Sequence, residues 1–140
     1  MIYPCVLDTS VASFLVNKNP LIALYRPHIT GATPVLCFQT VGEMRYGSLK
    51  AEWGQERNHR LEQFLQDTDI IHSSEALTRL WAEIMRESRR IGKRLEAAEA
   101  WIAATALLLG APLLTHDKDF DAQACPSIAI VCYADQPPTQ

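Results

Sequence analysis

This sequence predicts a three-layer α/β/α fold built on a central, mostly parallel sheet. Short apolar runs alternate along the chain with segments of about 10–15 residues at helical spacing, and this alternation is typical of βαβ units. The apolar runs are continuous rather than interrupted by polar residues, which indicates strands covered on both faces. With 140 residues and no Pro/Gly/Ser-rich linker, we expect one domain over residues 1–135, followed by a frayed tail at 136–140.

Five short apolar runs are expected to form the strands. The first, residues 2–7, is rich in apolar and β-branched side chains and ends at a polar turn, which favours a buried strand. The others share this character, although residues 69–72 form only a minimal strand. In chain order the predicted strands are 2–7, 34–38, 69–72, 112–115 and 127–132.

Helices are expected between these strands. Thr9 or Ser10 can cap the first helix with a hydroxyl oxygen, and Thr40 or Gly42 can open the third. Residues 96–109 are so rich in Ala and Leu that this helix must be buried on most sides. In chain order the predicted helices cover residues 11–16, 21–29, 40–49, 55–65, 75–91 and 96–109, with a short helix near 117–124.

Composition and charge exclude several classes of protein. No apolar run approaches the roughly 20 residues that span a bilayer, and the N-terminal stretch lacks the basic residues that open a signal peptide, so a cytoplasmic protein is expected. The four cysteines are scattered without CxxC spacing, which predicts structural thiols rather than a zinc site. A net charge of −3 argues against a protein that holds nucleic acid mainly through a basic surface.

Four acidic residues stand where an apolar run gives way to a turn or a helix. They are Asp8, Glu43, Glu99 and Asp117. Because the carboxyl ends of parallel strands converge on one edge of an open sheet, acids from distant parts of the chain can meet there. Clustered carboxylates bind hard divalent cations, and two such cations about 3.5–4 Å apart can promote phosphodiester hydrolysis.

Spacing alone leaves two interpretations of these acids open. Asp and Glu are also favoured in the first turns of helices, where they offset the helix dipole, and several of the 16 acidic residues would fall there by chance. Other phosphate chemistries lack their motifs, since the chain has neither GxGxxG nor GxxxxGK[ST]. A haloacid-dehalogenase-like phosphotransferase with Asp8 as nucleophile would need a second Asp where Ser10 stands.

Four segments of the sequence point to one family. They are VLDTS at residues 6–10, TVGEMRYG at 40–47, GKRLEAAE at 92–99 and AWIAATALLLGAPLLTHDKDF at 100–120. Together, in their order and spacing, they resemble the PIN domain, and more narrowly its bacterial VapC-type members, the toxins of toxin–antitoxin pairs. The resemblance implies a Mg²⁺- or Mn²⁺-dependent endoribonuclease with an α/β/α fold.

The resemblance also implies roles for individual residues. The positions that match acidic metal ligands of the family directly are Asp8, Glu43 and Asp117. Thr115, together with Thr9 or Ser10, would provide hydroxyls that hydrogen-bond to the carboxylates and orient them. Without such a role, the first two hydroxyls would simply cap a helix and Thr115 would pack at the end of a strand.

Glu99 is the one departure from the family pattern, which usually has Asp at this position. The carboxylate is kept but carried one methylene further, and Mg²⁺ demands near-ideal octahedral geometry, so metal binding could be weakened or shifted toward Mn²⁺. Glu96, one helical turn earlier, could share the work or act as a capping acid. The alternative to an active nuclease is therefore a catalytically weakened PIN-fold binding or regulatory module.

The densest basic cluster lies just before Glu99. Its candidate RNA-binding members are Arg89, Arg90, Lys93 and Arg94. They could hold RNA phosphates beside the metal site, or they could serve only as cations at a helix C-terminus. His116 adjoins Asp117, but metal-assisted hydrolysis needs no such base, so a position at the rim of the site is expected.

Two kinds of partner besides RNA follow from the resemblance. VapC-type proteins are expected to form homodimers and to bind a helical antitoxin peptide in an apolar groove. Apolar residues that one small domain is not expected to bury fully would supply these surfaces. They are Leu21, Leu24, Tyr25, Met44 and Tyr46.

Overall fold

The computed structural model describes residues 2–118, 120, 125 and 127–135, and these residues form a three-layer α/β/α unit. Its strands are β1 (Pro4–Leu7), β2 (Thr33–Cys37), β3 (Asp69–Ile71), β4 (Leu113–Leu114) and β5 (Ile130–Val131). Its helices are α1 (Thr9–Asn17), α2 (Ile22–Ile29), α3 (Phe38–Lys50), α4 (Gln55–Asp67), α5 (Glu75–Arg90) and α6 (Ala97–Leu109). The predicted fold class is confirmed.

The five described strands lie in one sheet in the order β3-β2-β1-β4-β5, and each neighbouring pair is parallel. β1 is central, with β2 on one side and β4 on the other. Because the strands run the same way, the residues that leave β1, β2 and β4 emerge side by side on one edge. Asp8, the start of α3 and Thr115 occupy that edge.

Two apolar clusters cover the two faces of the sheet. Neighbouring side chains of β1 point to opposite faces, so Val6 packs in the cluster with α5 and α6, whereas Leu7 packs in the cluster with α1, α2 and α4. The buried face of α6 is built from small side chains, including Ala100, Ala103 and Ala104, each with no exposed surface. Burial on both faces explains why the strands read as continuous apolar runs.

The junction between β2 and α3 differs from the sequence prediction. The expected strand through Phe38 and the expected helix start at Thr40 or Gly42 are both wrong, because β2 ends at Cys37 and α3 begins at Phe38 with no loop between them. The immediate change from strand to helix places Glu43 in the second turn of α3. Glu43 therefore lies near the carboxyl edge of the sheet.

The start of α1 also differs from the prediction. Neither Thr9 nor Ser10 is the capping residue, because Asp8 has extended backbone angles and takes the N-cap position. Its Oδ1 accepts a hydrogen bond from the Val11 backbone N–H at 3.2 Å, which satisfies one of the free donors of the first turn. Thr9 and Ser10 lie in that turn, and their hydroxyls are available for other contacts.

The expectation of broad apolar exposure on α2 and α3 is only partly met. Tyr25 has no exposed surface and Met44 is 5% exposed, so for these two residues the expectation is wrong. Leu21 and Tyr46 are exposed, and Leu24 is half-buried. Tyr25 is buried because its ring packs in the core on the α1–α2 side of the sheet while its hydroxyl group is hydrogen-bonded.

Two further expectations fall largely outside the described residues, namely the short helix near residues 117–124 and the tail at 136–140. β4 and β5 are shorter than predicted, with two residues each. None of the helices in the described part of the chain is both long and apolar enough to cross a bilayer.

Candidate carboxylate site

Asp8 is the most constrained acid of the predicted site. It leaves the central strand β1, is 5% exposed, and caps α1. Its Oδ1 accepts from the Ser10 hydroxyl at 2.5 Å and from the Val11 N–H, and its Oδ2 accepts from the Thr115 hydroxyl. Hydrogen bonds to both oxygens fix the plane of the carboxyl group.

Burial raises the pKa of the Asp8 carboxyl above its usual range, and the hydrogen bonds from Ser10, Thr115 and Val11 oppose that rise without cancelling it. No basic side chain in the described part of the chain forms an ion pair with Asp8. A buried carboxyl group without a cationic neighbour is a group whose charge a bound cation would stabilise.

Glu43 is held beside this group from the second turn of α3. It is half-buried, and its Oε1 accepts from the Thr9 hydroxyl at 2.7 Å. Because Thr9 directly follows Asp8, one short stretch of chain supplies hydroxyls to both acids, Ser10 to Asp8 and Thr9 to Glu43.

Asp117 is brought to the same edge by hydrogen bonds between the ends of β1 and β4. The Thr115 hydroxyl donates to Asp8 and accepts from the Asp117 N–H at 3.1 Å, and the His116 N–H donates to the Ser10 hydroxyl at 2.9 Å. The Asp117 side chain itself is exposed. The structure therefore joins the backbone around Asp117 to Asp8 through one threonine hydroxyl.

Glu99 has a different local role. It is half-buried in the first turn of α6, and its Oε1 accepts from the Glu96 N–H at 2.9 Å. The Glu96 side chain accepts in turn from the Glu99 N–H, so the two residues form a capping box at the start of the helix. The extra methylene of Glu99 is what allows its carboxylate to reach back to the preceding backbone.

The four acids do not form a closed ligand set in this arrangement. Within the described residues, no group of three or more His, Cys, Asp or Glu side chains is placed to hold a metal ion. The chemistry of the donors does fit a hard divalent cation, since every candidate ligand is a carboxylate oxygen. A cation held by three or more of them therefore requires some of these side chains to rearrange.

A family model for the PIN domain matches residues 5–124, a span that includes all four acids. This chain belongs to the PIN domain family. Ribonuclease VapC5 of Mycobacterium tuberculosis is 30% identical over 119 residues, which are 84% of this chain and 85% of the relative. Ribonuclease VapC4 of the same organism is 32% identical over 94 residues, 66% of this chain and 71% of the relative.

Solved structures agree with the PIN fold. VapBC2 from Rickettsia felis, bound to a DNA fragment from its promoter, superposes with a TM-score of 0.77 at 22% sequence identity. The match covers 94% of this chain and 98% of that one. At this identity the likeness establishes the fold alone.

The four predicted RNA-binding residues of this PIN domain lie in the last turn of α5 and the loop before α6. Arg90 forms an ion pair with Glu87, with nitrogen–oxygen distances of 3.0 and 2.5 Å. The Arg89 guanidinium donates to the Ser88 hydroxyl at 3.3 Å and to a backbone carbonyl at 3.4 Å. These two arginines have local partners, while all four predicted basic residues, Arg89, Arg90, Lys93 and Arg94, have exposed side chains.

Sequence reasoning missed Tyr25, which it assigned to a surface. Its phenol oxygen is hydrogen-bonded to the Thr115 carbonyl at 2.8 Å and lies 2.6 Å from His116 Nδ1. Burial raises the pKa of Tyr25 to about 12, so the phenol stays protonated at neutral pH. His116 is half-buried against the Phe14 ring, with ring centroids 5.3 Å apart. No spacing pattern links residues 25 and 115 before the chain is folded.

Proposed function

We propose that this PIN domain is a divalent-metal-dependent endoribonuclease, the toxin of a toxin–antitoxin pair, which hydrolyses RNA phosphodiester bonds. The observation that carries the proposal is the buried Asp8 carboxyl, which forms no ion pair in the described residues and is hydrogen-bonded by the Thr115 hydroxyl at the end of β4. The relatives named ribonucleases support the substrate class. The proposed ligands of Mg²⁺ or Mn²⁺ are Asp8, Glu43, Glu99 and Asp117.

Each residue around Asp8 has a defined task under this proposal. The hydrogen bonds from Ser10 and Thr115 fix the orientation of the Asp8 carboxylate plane, so that the remaining lone pair of Oδ2 faces a fixed direction. Thr9 holds Glu43 close by. A divalent cation, when bound, supplies Lewis-acid polarisation of a phosphoryl oxygen. The preset orientation of Asp8 lowers the cost of ordering this ligand when the cation and RNA arrive.

RNA would be held mainly by exposed cations near the start of α6. Because the whole chain is acidic, with a net charge of −3, any phosphate contact must be local. Lys93 and Arg94 lie in the loop that leads into the helix of Glu99, and Arg89 and Arg90 lie in the last turn of α5. We assign phosphate contacts to these four residues, with the two loop residues closest in sequence to the site.

An antitoxin and a second copy of the chain complete the proposal, together with a cytoplasmic location. The structural neighbour from Rickettsia felis is a VapBC complex, which supports an antitoxin partner for this chain. Exposed apolar side chains are present for such contacts, with Tyr46 65% and Leu49 77% exposed on α3. Leu21, just before α2, is 40% exposed.

Cleavage by the purified protein tests the proposal. Wild-type protein should cut a mixed-sequence RNA oligonucleotide in Mg²⁺ or Mn²⁺ and not in EDTA. Asp8→Asn should lower the rate by at least about 100-fold, since the loss of residues that only orient metal ligands already costs about 10–100-fold. Asp69→Asn, the same chemical change at an exposed acid of β3, is the matched control and should cleave at the wild-type rate. Equal cleavage by wild type and Asp8→Asn would refute the proposed site.

One observation favours the second candidate function, a catalytically weakened PIN-fold binding or regulatory module. The carboxylate of Glu99 accepts from the Glu96 N–H, a capping contact that competes with metal binding. Metal titration separates the two functions. A weakened module should show no specific Mg²⁺ or Mn²⁺ binding, and Glu99→Asp should then restore it.

A further inference from the structure

The phenol oxygen of Tyr25 joins three separate parts of the chain. Tyr25 lies in the middle of α2 and has no exposed surface. Its oxygen donates to the Thr115 carbonyl at 2.8 Å, lies 2.6 Å from His116 Nδ1, and accepts from the Tyr133 N–H at 3.0 Å. Thr115 and His116 follow β4, and Tyr133 follows β5.

Counting donors and acceptors assigns the proton on His116. A phenol has one O–H donor and two acceptor lone pairs. Because the O–H of Tyr25 is used by the Thr115 carbonyl and one lone pair is used by the Tyr133 N–H, the contact to His116 must use the other lone pair. His116 Nδ1 therefore carries a hydrogen and donates it to Tyr25, and the hydrogen-bonding capacity of the buried oxygen is fully used.

Thr115 transmits this anchoring to the acids. Its carbonyl is held by Tyr25, while its hydroxyl donates to Asp8 Oδ2 and accepts from the Asp117 N–H. His116, held by the same phenol through its ring, donates its backbone N–H to the Ser10 hydroxyl, which in turn donates to Asp8. Both of the hydroxyls that bind Asp8 are thus connected, through residues 115 and 116, to one oxygen on α2.

We propose that Tyr25 is a positioning residue of the carboxylate site, whose hydroxyl fixes residues 115–117 in the one arrangement that brings Thr115 and Asp117 to Asp8. The expected effect on RNA cleavage rests on the proposed function. The expected effect on the arrangement of residues 115–117 rests on the geometry alone. The ring of Tyr25 packs against His116 and Tyr133, with centroids 5.7 and 5.2 Å apart, and a phenylalanine would keep those contacts. The hydroxyl is therefore the part that positions the site.

Tyr25→Phe removes that oxygen while keeping the ring. We expect kcat for RNA cleavage in saturating Mn²⁺ to fall by about ten-fold or more, with KM within about two-fold of wild type, because residues that orient ligands act on the reacting geometry rather than on distant RNA contacts. Tyr3→Phe removes a hydroxyl from a tyrosine that is 67% exposed, and it should leave both constants unchanged. An unchanged kcat in folded Tyr25→Phe would overturn the proposal.

Two measurements without substrate separate this inference from the proposed function. Long-range ¹H–¹⁵N spectra of the wild-type protein should show His116 with hydrogen on Nδ1, and amide exchange at Asp117 should accelerate about ten-fold or more in Tyr25→Phe. Hydrogen on Nε2 alone in the wild type would overturn the inference even if the variant failed to fold. If both measurements give the expected results and the wild-type protein cuts no RNA, the proposed function is refuted while the positioning role of Tyr25 stands.

Discussion

Burial of Asp8 makes the ionised form of its carboxyl group unfavourable in the metal-free folded protein. It is buried, its pKa is raised chiefly by desolvation, and its hydrogen-bond donors are neutral hydroxyl and backbone groups. A raised folded-state pKa means that the ionised carboxylate is less favourable in the folded protein than in the unfolded chain. A site that holds an uncompensated charge in this way gains stability when a cation binds.

Asp8→Asn should therefore stabilise the metal-free protein. The folded-state pKa lies above the unfolded value, so the folded protein binds more protons between the two, and the stability of the wild type falls as pH rises through that window. The neutral amide of asparagine removes this destabilising charge, so the stability of Asp8→Asn lacks the fall with rising pH. Urea denaturation in EDTA at pH 7 should give a higher free energy of unfolding for Asp8→Asn than for wild type.

Asp69→Asn, at an exposed acid, should leave the free energy of unfolding at pH 7 unchanged. A lower free energy of unfolding for Asp8→Asn than for wild type would show that the ionised carboxylate stabilises the fold. The buried charge of Asp8 would then be no argument for a bound cation.

At the scale of single residues, the sequence indicates where acidic side chains can lie but not which local contacts they make. The positions of Asp8 and Glu43 at the ends of apolar runs are readable because carboxylates cannot stay within those runs. That Asp8 itself caps α1 was not readable, because Asp, Thr and Ser are all good caps and three of them follow one another. The role of Tyr25 depends on a contact across 90 residues, which no local pattern contains.

At the scale of elements, the start of α6 shows a local structural role for Glu99. Glu96 caps the helix and Glu99 completes the capping box, which satisfies backbone donors that the first turn leaves free. An Asp at this position would be one methylene shorter and could not reach back as far. The longer side chain of Glu99 therefore has a structural role in the capping box, in addition to any role in metal binding.

Two substitutions at Glu99 separate the cap from the charge. Glu99→Ala should lower the free energy of unfolding in EDTA by about 0.5–1.5 kcal/mol, the usual net contribution of one hydrogen bond. Glu99→Gln keeps a capping-box acceptor and should stay within about 0.5 kcal/mol of wild type. If Glu99 is also a metal ligand, Glu99→Gln should still weaken Mn²⁺ binding in a calorimetric titration. Equal stability of the Ala variant and wild type would contradict the capping role.

The β2–α3 junction shows why element boundaries were harder to predict than the elements. Apolar residues continue from Val35 to Phe38, so the sequence pattern favours a strand through Phe38. The chain nevertheless turns into α3 at Phe38, whose ring packs toward Trp101 of α6 with centroids 5.5 Å apart. The local apolar pattern contains no information on such a contact, so it could not fix the boundary.

At the scale of the whole molecule, the sheet topology brings residues from distant parts of the chain to one edge of the sheet. β1 lies between β2 and β4, so residues separated by more than 100 positions meet at one edge, as the bond from Thr115 to Asp8 shows. The fold class was predictable because its strands are apolar on both faces and alternate with helices. The strand order was not, because the spacing of strands in a sequence does not determine which of them are neighbours.

Binding of a cation at this edge should stabilise the entire domain. A ligand that binds only the folded state at 100 times its Kd contributes about 2.7 kcal/mol, which corresponds to a rise in Tm of roughly 5–11 °C for a chain of this size. Differential scanning fluorimetry in Mn²⁺ against EDTA should show that rise in the wild type and little of it in Asp8→Asn. Equal shifts in both proteins would indicate that the ion binds elsewhere.

The most direct test of RNA cleavage at the carboxylate site is RNA 5′-end mapping in cells that express the wild-type protein, Asp8→Asn or the control Asp69→Asn. We predict a small number of sharp new 5′ ends with wild type and Asp69→Asn that are absent with Asp8→Asn, and these ends would also identify the RNA substrate. Identical maps from all three proteins, each shown to be soluble and folded, would contradict a nuclease role and favour the binding module.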